Sequence, residues 1–253
     1  MVTPPILPEN TGLAFVGQRV PPAYVVGGPS ARRLLRAPNP HGKPNGDVLR
    51  PLVGAADLVR PRGRWVIDFA PDSTPAEAAL HVAPFRRLQR AVRSPRGRWW
   101  TLPGRNPDLR AALAKHDRFL VAPVGDAPPA FVWIEAPALP DASLLVVVRD
   151  DDFAHGVLQS RVFAVWWQHV GPSQTRLGTL QSFPFPWPPA TPLGRLTAAQ
   201  EERRHDLARA ARSGNPEGID AAAASAYGWP AHLPEPELLS RLLEINHHRQ
   251  EGV

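Results

Sequence analysis

The residues able to do covalent chemistry are few, and their spacing argues against each reaction in turn. His155, Ser160 and Asp152 supply the residue types of a hydrolytic triad, yet no glycine-flanked turn surrounds Ser160 to expose a nucleophile. Asp150-Asp151-Asp152 offers carboxylates to a divalent ion, but three consecutive side chains point in different directions, and a solvated turn accounts for them more simply. His247-His248 lies in a helical pattern, where neighbours diverge by about 100° and cannot share one ion. Metal-dependent strand cleavage calls for clustered carboxylates beside a lysine, and Lys43 and Lys115 follow no glutamate at that spacing. Methylation of an extruded base requires a glycine-rich cofactor loop and an Asn/Asp-Pro-Pro-aromatic loop. Asn39-Pro40-His41-Gly42 begins like the latter but lacks the second proline and the aromatic platform, and Val26-Gly27-Gly28-Pro29-Ser30 reads as a turn into a helix. No catalytic residue and no metal ligand is predicted.

Binding chemistry is better represented. The formal charge is +6, and only two of the 29 basic residues are lysine. High-GC coding favours arginine, alanine and proline together, so part of this bias has a mutational origin. Guanidinium forks nonetheless suit phosphates and the guanine edge as an ammonium does not. The absence of cysteine removes disulfides, thiolate metal sites and a cysteine nucleophile. Together with a proline-rich first ten residues that lack an apolar segment, it predicts a cytoplasmic protein. The longest apolar run, 144–148, is far shorter than the roughly 20 residues of a membrane span, so no membrane partner is predicted.

The elements that must carry these groups form three blocks. Up to about residue 182, runs of β-formers (12–16, 24–26, 64–69, 119–122, 131–134 and 144–148) alternate with helical patterns (30–36, 75–93, 107–115 and 157–169). Residues 183–192 contain Phe183-Pro184-Phe185-Pro186-Trp187-Pro188-Pro189, which neither a helix nor a central strand can pass through, and are predicted to form a rigid connector. Residues 193–253 read as three helices (197–213, 219–227 and 236–250), the last with Leu238, Leu239, Leu242, Leu243 and Ile245 on an apolar face that must be buried. The expected fold is mixed α+β, a partly antiparallel twisted sheet flanked by helices, followed by a small C-terminal helical subdomain.

Two stretches gather arginine, amide and hydroxyl groups around aromatic residues. One runs from Asn39 through Asn45-Gly46-Asp47-Val48-Leu49-Arg50-Pro51 to Trp65-Val66-Ile67-Asp68-Phe69; the other comprises Leu158-Gln159-Ser160-Arg161, Arg176 and Phe183-Pro184-Phe185-Pro186. Together with Pro84-Phe85, the turn from Val92-Arg93 to Arg98-Trp99-Trp100, Ala226-Tyr227-Gly228-Trp229-Pro230 and Leu242-Leu243-Glu244-Ile245-Asn246-His247-His248-Arg249, their order resembles the target-recognition and closing helical regions of MmeI-like DNA adenine methyltransferases. These are the type IIG and IIL restriction-modification enzymes and related phage-defence systems. The resemblance covers nearly the whole chain.

The resemblance implies that residues 1–182 are a DNA target-recognition domain reading a double-stranded site. It implies contacts from Lys43, Asn45, Arg50, Arg62, Arg93, Arg96, Arg98 and Arg105, and from Gln159, Ser160, Arg161, Ser173, Gln174 and Arg176. Such enzymes place a nuclease or helical domain and a methyltransferase domain ahead of this region, whereas Met1 here opens almost directly into it. Catalysis and S-adenosylmethionine binding are therefore expected in a separately encoded methyltransferase subunit or a missing domain, unless the chain is the remnant of a split gene. An exposed arginine is more often solvated or paired with a nearby Asp than bound to DNA, and that reading stands beside each contact. Trp65, Ile67 and Phe69 read as one face of a half-buried strand, with Asp68 on the other, and Trp99-Trp100 and Trp166-Trp167 as core or interface aromatics rather than base-stacking platforms. A second reading keeps the fold and makes the basic surface a docking face for a protein.

Overall fold

The computed structural model describes residues 3–39, 43–93 and 96–251. Pro40, His41 and Gly42 of the candidate base-gripping loop, and Ser94 and Pro95 of the turn before Arg98, lie outside the described residues. In chain order the regular elements are β1 (Ala14–Val16), β2 (Val25–Gly27), α1 (Gly28–Arg36), β3 (Leu49–Val53), α2 (Ala55–Val59), β4 (Arg64–Ile67), α3 (Pro75–Ala79) and α4 (Val82–Ala91). There follow α5 (Pro107–Leu113), β5 (Arg118–Pro123), β6 (Val132–Glu135), β7 (Leu139–Pro140), β8 (Leu144–Val147), α6 (Asp152–Gln159), α7 (Arg161–Val170), α8 (Arg176–Gln181), α9 (Ala198–Ser213), α10 (Pro216–Tyr227) and α11 (Glu235–Glu251). The mixed α+β class holds, with two four-stranded sheets in place of one.

The chain divides into two compact units, neither a single stretch. One, the helix-rich unit, takes in Met1–Phe15, Ala112–Ile134 and Leu145–Val253; the other, the basic unit, takes in Val16–Ala111 and Glu135–Leu144. The proline-dense residues 183–192 and the helices after them fall inside the helix-rich unit.

In the basic unit the sheet runs β2-β4-β3-β7. β4 pairs antiparallel with β2 (Val25↔Val66) and with β3 (Leu49↔Ile67), and β3 pairs parallel with β7 (Leu52↔Leu139). Val66 and Ile67 are both fully buried, so β4 is covered on both faces and not half-buried as its alternation predicts. Pro51 stands at the last β4 pair, before pairing with β7 begins at Leu52, and this proline hid β3 from the sequence pattern. The helical run 75–93 breaks at Leu80 and His81 into α3 and α4. In an unbroken helix the ring of Pro84 would clash with the Leu80 carbonyl; the break moves Pro84 into the first turn of α4, where an N–H has no partner to lose. A capping box opens α3: Thr74 accepts from the Glu77 N–H, and the Glu77 carboxylate accepts from the Thr74 N–H at 2.7 Å.

In the helix-rich unit the sheet runs β1-β8-β5-β6. Its inner strands are continuous buried runs, Phe119 to Ala122 and Leu144 to Val147. The helical pattern at 157–169 breaks at Ser160, which is extended (ψ 158°) between α6 and α7. α6 packs on α9 through Gly156, and α11 packs on α7 through Leu238 and Leu242. Phe183, Phe185 and Trp187 of the proline-dense stretch are core residues, Trp187 stacked on Phe153 at 4.7 Å. A proline-rich segment keeps its carbonyls while losing donors, so those carbonyls need outside partners. Side chains provide them: Asn10 donates to Phe183 (2.8 Å), the Tyr227 hydroxyl to Pro184 (2.8 Å) and Arg249 to Pro186 (3.2 Å), while just before the segment Asn10 donates to Gln181 (2.9 Å) and Asn246 to Ser182 (2.6 Å). The apolar and polar faces of α11 thus have separate duties, Leu242 in the core and Asn246 on the backbone of 182.

Candidate nucleic-acid interface

Charge is segregated between the two units. The basic unit holds 17 Arg and Lys against 8 Asp and Glu, a formal +9, and the helix-rich unit 12 against 15, a formal −3. Arginines in the helix-rich unit are largely matched by nearby carboxylates: Arg204 with Glu201 at 2.7 Å, Arg209 with Asp206 at 2.9 Å, and Arg118 and Arg212 with Asp152 at 3.0 and 2.9 Å. A coding bias toward arginine acts on the whole chain, so it does not explain an excess confined to one unit.

Within the basic unit, the residues singled out in the sequence separate into two groups. Lys43, Arg62, Arg93, Arg96 and Arg98 are exposed on loops. Arg98 is held in place, donating to the Ser73 carbonyl at 2.8 Å with its guanidinium 5.9 Å from the Trp100 ring centre. Asn45, Arg50 and Arg105 are structural as well as polar. Asn45 is buried, and its amide donates to the carbonyls of Leu34 (2.9 Å) and Ala37 (3.1 Å), fastening the loop after α1. Arg50 and Arg105 meet on the fully buried side chain of Asp68, at 3.1 and 3.4 Å, and Arg110 donates to the same carboxylate. Three guanidiniums share one carboxylate and the cluster keeps a surplus of positive charge. Burial, with Arg110 and Arg50 alongside, holds Arg105 below the usual arginine range against the pull of Asp68. Asp57 is bound by the Arg64 guanidinium and by the N–H groups of Gly54 and Arg62; although burial alone would raise it, these hold its carboxyl below the usual range.

The second set of sequence candidates lies in the helix-rich unit. Gln159 is exposed. Ser160 is buried, 1% exposed, and its hydroxyl donates to the Val157 carbonyl at 2.7 Å; it does not reach the surface. Arg161 donates to the Leu233 carbonyl at 2.8 Å, Ser173 to Val170 at 2.9 Å and Gln174 to Pro4 at 2.6 Å. Arg176 pairs with Asp126 and donates to Gly171 at 3.0 Å. This set tethers loops more than it presents them. The triad reading also dissolves: His155 Nε2 donates to the Phe131 carbonyl at 3.0 Å, and Asp152 faces arginines. Asp150 contacts His116 at 2.8 Å, and Asp151 caps α6 through the Ala154 N–H at 2.9 Å, so the three adjacent carboxylates serve three different partners. No group of three His, Cys, Asp or Glu able to hold a metal ion occurs among the described residues, and none of their helices is long and apolar enough to cross a membrane.

Sequence reasoning centred on loops missed the helices. Arg110 on α5 completes the Asp68 cluster. Arg33 on α1 and Arg86, Arg87 and Arg90 on α4 line a groove of about 560 Å³ with no carboxylate in its wall among the described residues. The signal was present: α1 (GPSARRLLR) and α4 (VAPFRRLQRA) contain no acidic residue, whereas Arg204, Arg209 and Arg212 of α9 each have a carboxylate partner.

No protein-family model matches the chain, and no curated protein sequence matches it. Among solved structures its fold is similar to that of the type IIL restriction-modification enzyme MmeI, determined in complex with DNA, with a TM-score of 0.55 and 13% identity. The likeness covers 99% of this chain and 36% of that one, so the chain spans about a third of the enzyme's length. At this identity the likeness is one of fold.

Proposed function

We propose that the chain recognises a specific site on double-stranded DNA on behalf of a restriction-modification methyltransferase whose catalytic part lies elsewhere. The observation that carries this reading is the confinement of the cation excess, +9, to one compact unit whose exposed loop cations include Lys43, Arg62, Arg93, Arg96 and Arg98. Phosphate contacts supply affinity, and side chains that reach base edges supply specificity. The fold likeness to an enzyme determined with DNA supports the same reading. The buried amide of Asn45 and the Asp68-centred arginines fix the frame behind these loops. Arg93, Arg96 and Arg98, each exposed and close together in sequence, are the base readers, because a guanidinium fork matches the O6 and N7 atoms of guanine. On this account S-adenosylmethionine belongs to the catalytic part, and no residue of this chain is assigned to it.

The test is selection from a pool of random duplexes at fixed salt. A short motif containing G·C pairs is expected, with single-base changes inside it weakening binding by about 10- to 100-fold, corresponding to roughly 1–3 kcal/mol per mismatch. Recovery of the pool without enrichment would remove sequence recognition from the account.

A further inference from the structure

We infer that the groove between α1 and α4 is a sequence-independent seat for the sugar-phosphate backbone of the duplex, an inference that rests on the proposed reading of the chain as a duplex-binding protein. Arg33, Arg86 and Arg90 are exposed along it and Arg87 is half-buried, and among the described residues no carboxylate lines it. Among the described residues no ion pair joins any of the four to an acid. Like charges one helical turn apart repel, and Arg86 and Arg90 stand about 6 Å apart along the axis of α4. Repulsion left uncompensated within the fold is relieved when an anion enters. Arg33 donates to Ser30 Oγ at 3.4 Å, which leaves the rest of its fork facing outward.

The lining also says what the anion is. Among the described residues its lining contains no Asn, Gln or aromatic side chain, so it holds charge without reading a base edge or stacking a base. A free nucleotide is therefore a poor occupant, and a repeating polyanion a good one. The groove is also firmly built. Leu88, one turn before the end of α4, is fully buried, and Ala31 anchors α1 in the same core. The four guanidiniums thus project from two fixed helices, unlike the loop cations, and a charged seat of this kind positions the duplex while the loops read it.

The experiment measures the affinity of the full chain for two duplexes of unrelated sequence across a range of salt. The variant R33Q/R86Q/R90Q should bind both duplexes about ten-fold or more weakly and to the same extent, with a log-log salt slope shallower by about 3, near 0.9 for each phosphate no longer neutralised. The matching lysine variant should keep the wild-type slope, since counterion release counts charges. Thermal melting of both variants should follow the wild type, the three side chains being exposed. Unchanged affinity and slope in the glutamine variant, beside a steep wild-type slope, would overturn the groove and leave the proposed function standing. Weakening on one duplex alone, or an equal weakening in the lysine variant, would overturn its sequence independence or its electrostatic nature. A wild-type chain that binds neither duplex would overturn both the groove and the function.

Discussion

Asp68 is the residue on which the candidate interface depends most. Its side chain is fully buried, and three cations converge on it from β3, from the loop before α5 and from α5 itself. Removing the carboxylate leaves guanidiniums that are partly withdrawn from water facing one another without a counterion. Asp68→Ala should therefore cost about 3–5 kcal/mol, read as a lower denaturant midpoint at unchanged slope; a change below about 1 kcal/mol would mean that the arginines find solvent or other partners. The sequence made Arg50 and Arg105 visible as cations but not their shared partner, because spacing does not reveal that residues 18 and 37 positions from Asp68 close on it. Asn45 was found for its amide, yet that amide serves the backbone of α1. Ser160 was found for its hydroxyl, which turns back onto its own helix. In each case the residue type was informative and its direction was not.

At the level of elements, the breaks are as instructive as the helices. Pro84 divides one predicted helix, its ring being incompatible with the preceding turn, and Ser160 divides another, where its hydroxyl bonds back to the Val157 carbonyl at 2.7 Å. The junction of α6 and α9 is a tighter case. A Cβ on Gly156 would lie 2.8 Å from Leu207 Cδ1 and 3.2 Å from Ala211 Cβ, closer than packed carbons approach, and Leu207 is fully buried. Gly156→Val is expected to destabilise the helix-rich unit by about 1–3 kcal/mol, and the double substitution with Leu207→Ala should cost less than the sum of the two single ones. Simple additivity of the two substitutions would show that the helices are not held by this contact. Among the described residues the strand pattern located six of the eight strands and passed over β3 and β7, the pair in which prolines replace the apolar alternation that marks a strand. The apolar face of α11 was legible as a helix needing cover; that its polar face would serve a carbonyl of a proline-rich stretch was not, since Arg249 and Pro186 lie 63 residues apart.

Across the whole molecule, the separation of charge could not be read before the units were known. The basic unit is assembled from two stretches interrupted by more than 20 residues of the other, so a running tally of charge along the chain blurs what the fold collects. Once collected, the contrast between +9 and −3 gives the central claim: the basic unit lies against the phosphates of a duplex. The direct measurement is the dependence of duplex affinity on salt. Five or more phosphate contacts predict a log-log slope of about −4.5 or steeper, with affinity falling sharply between low and physiological salt. A slope near −1, or weak binding indifferent to salt, would contradict the account.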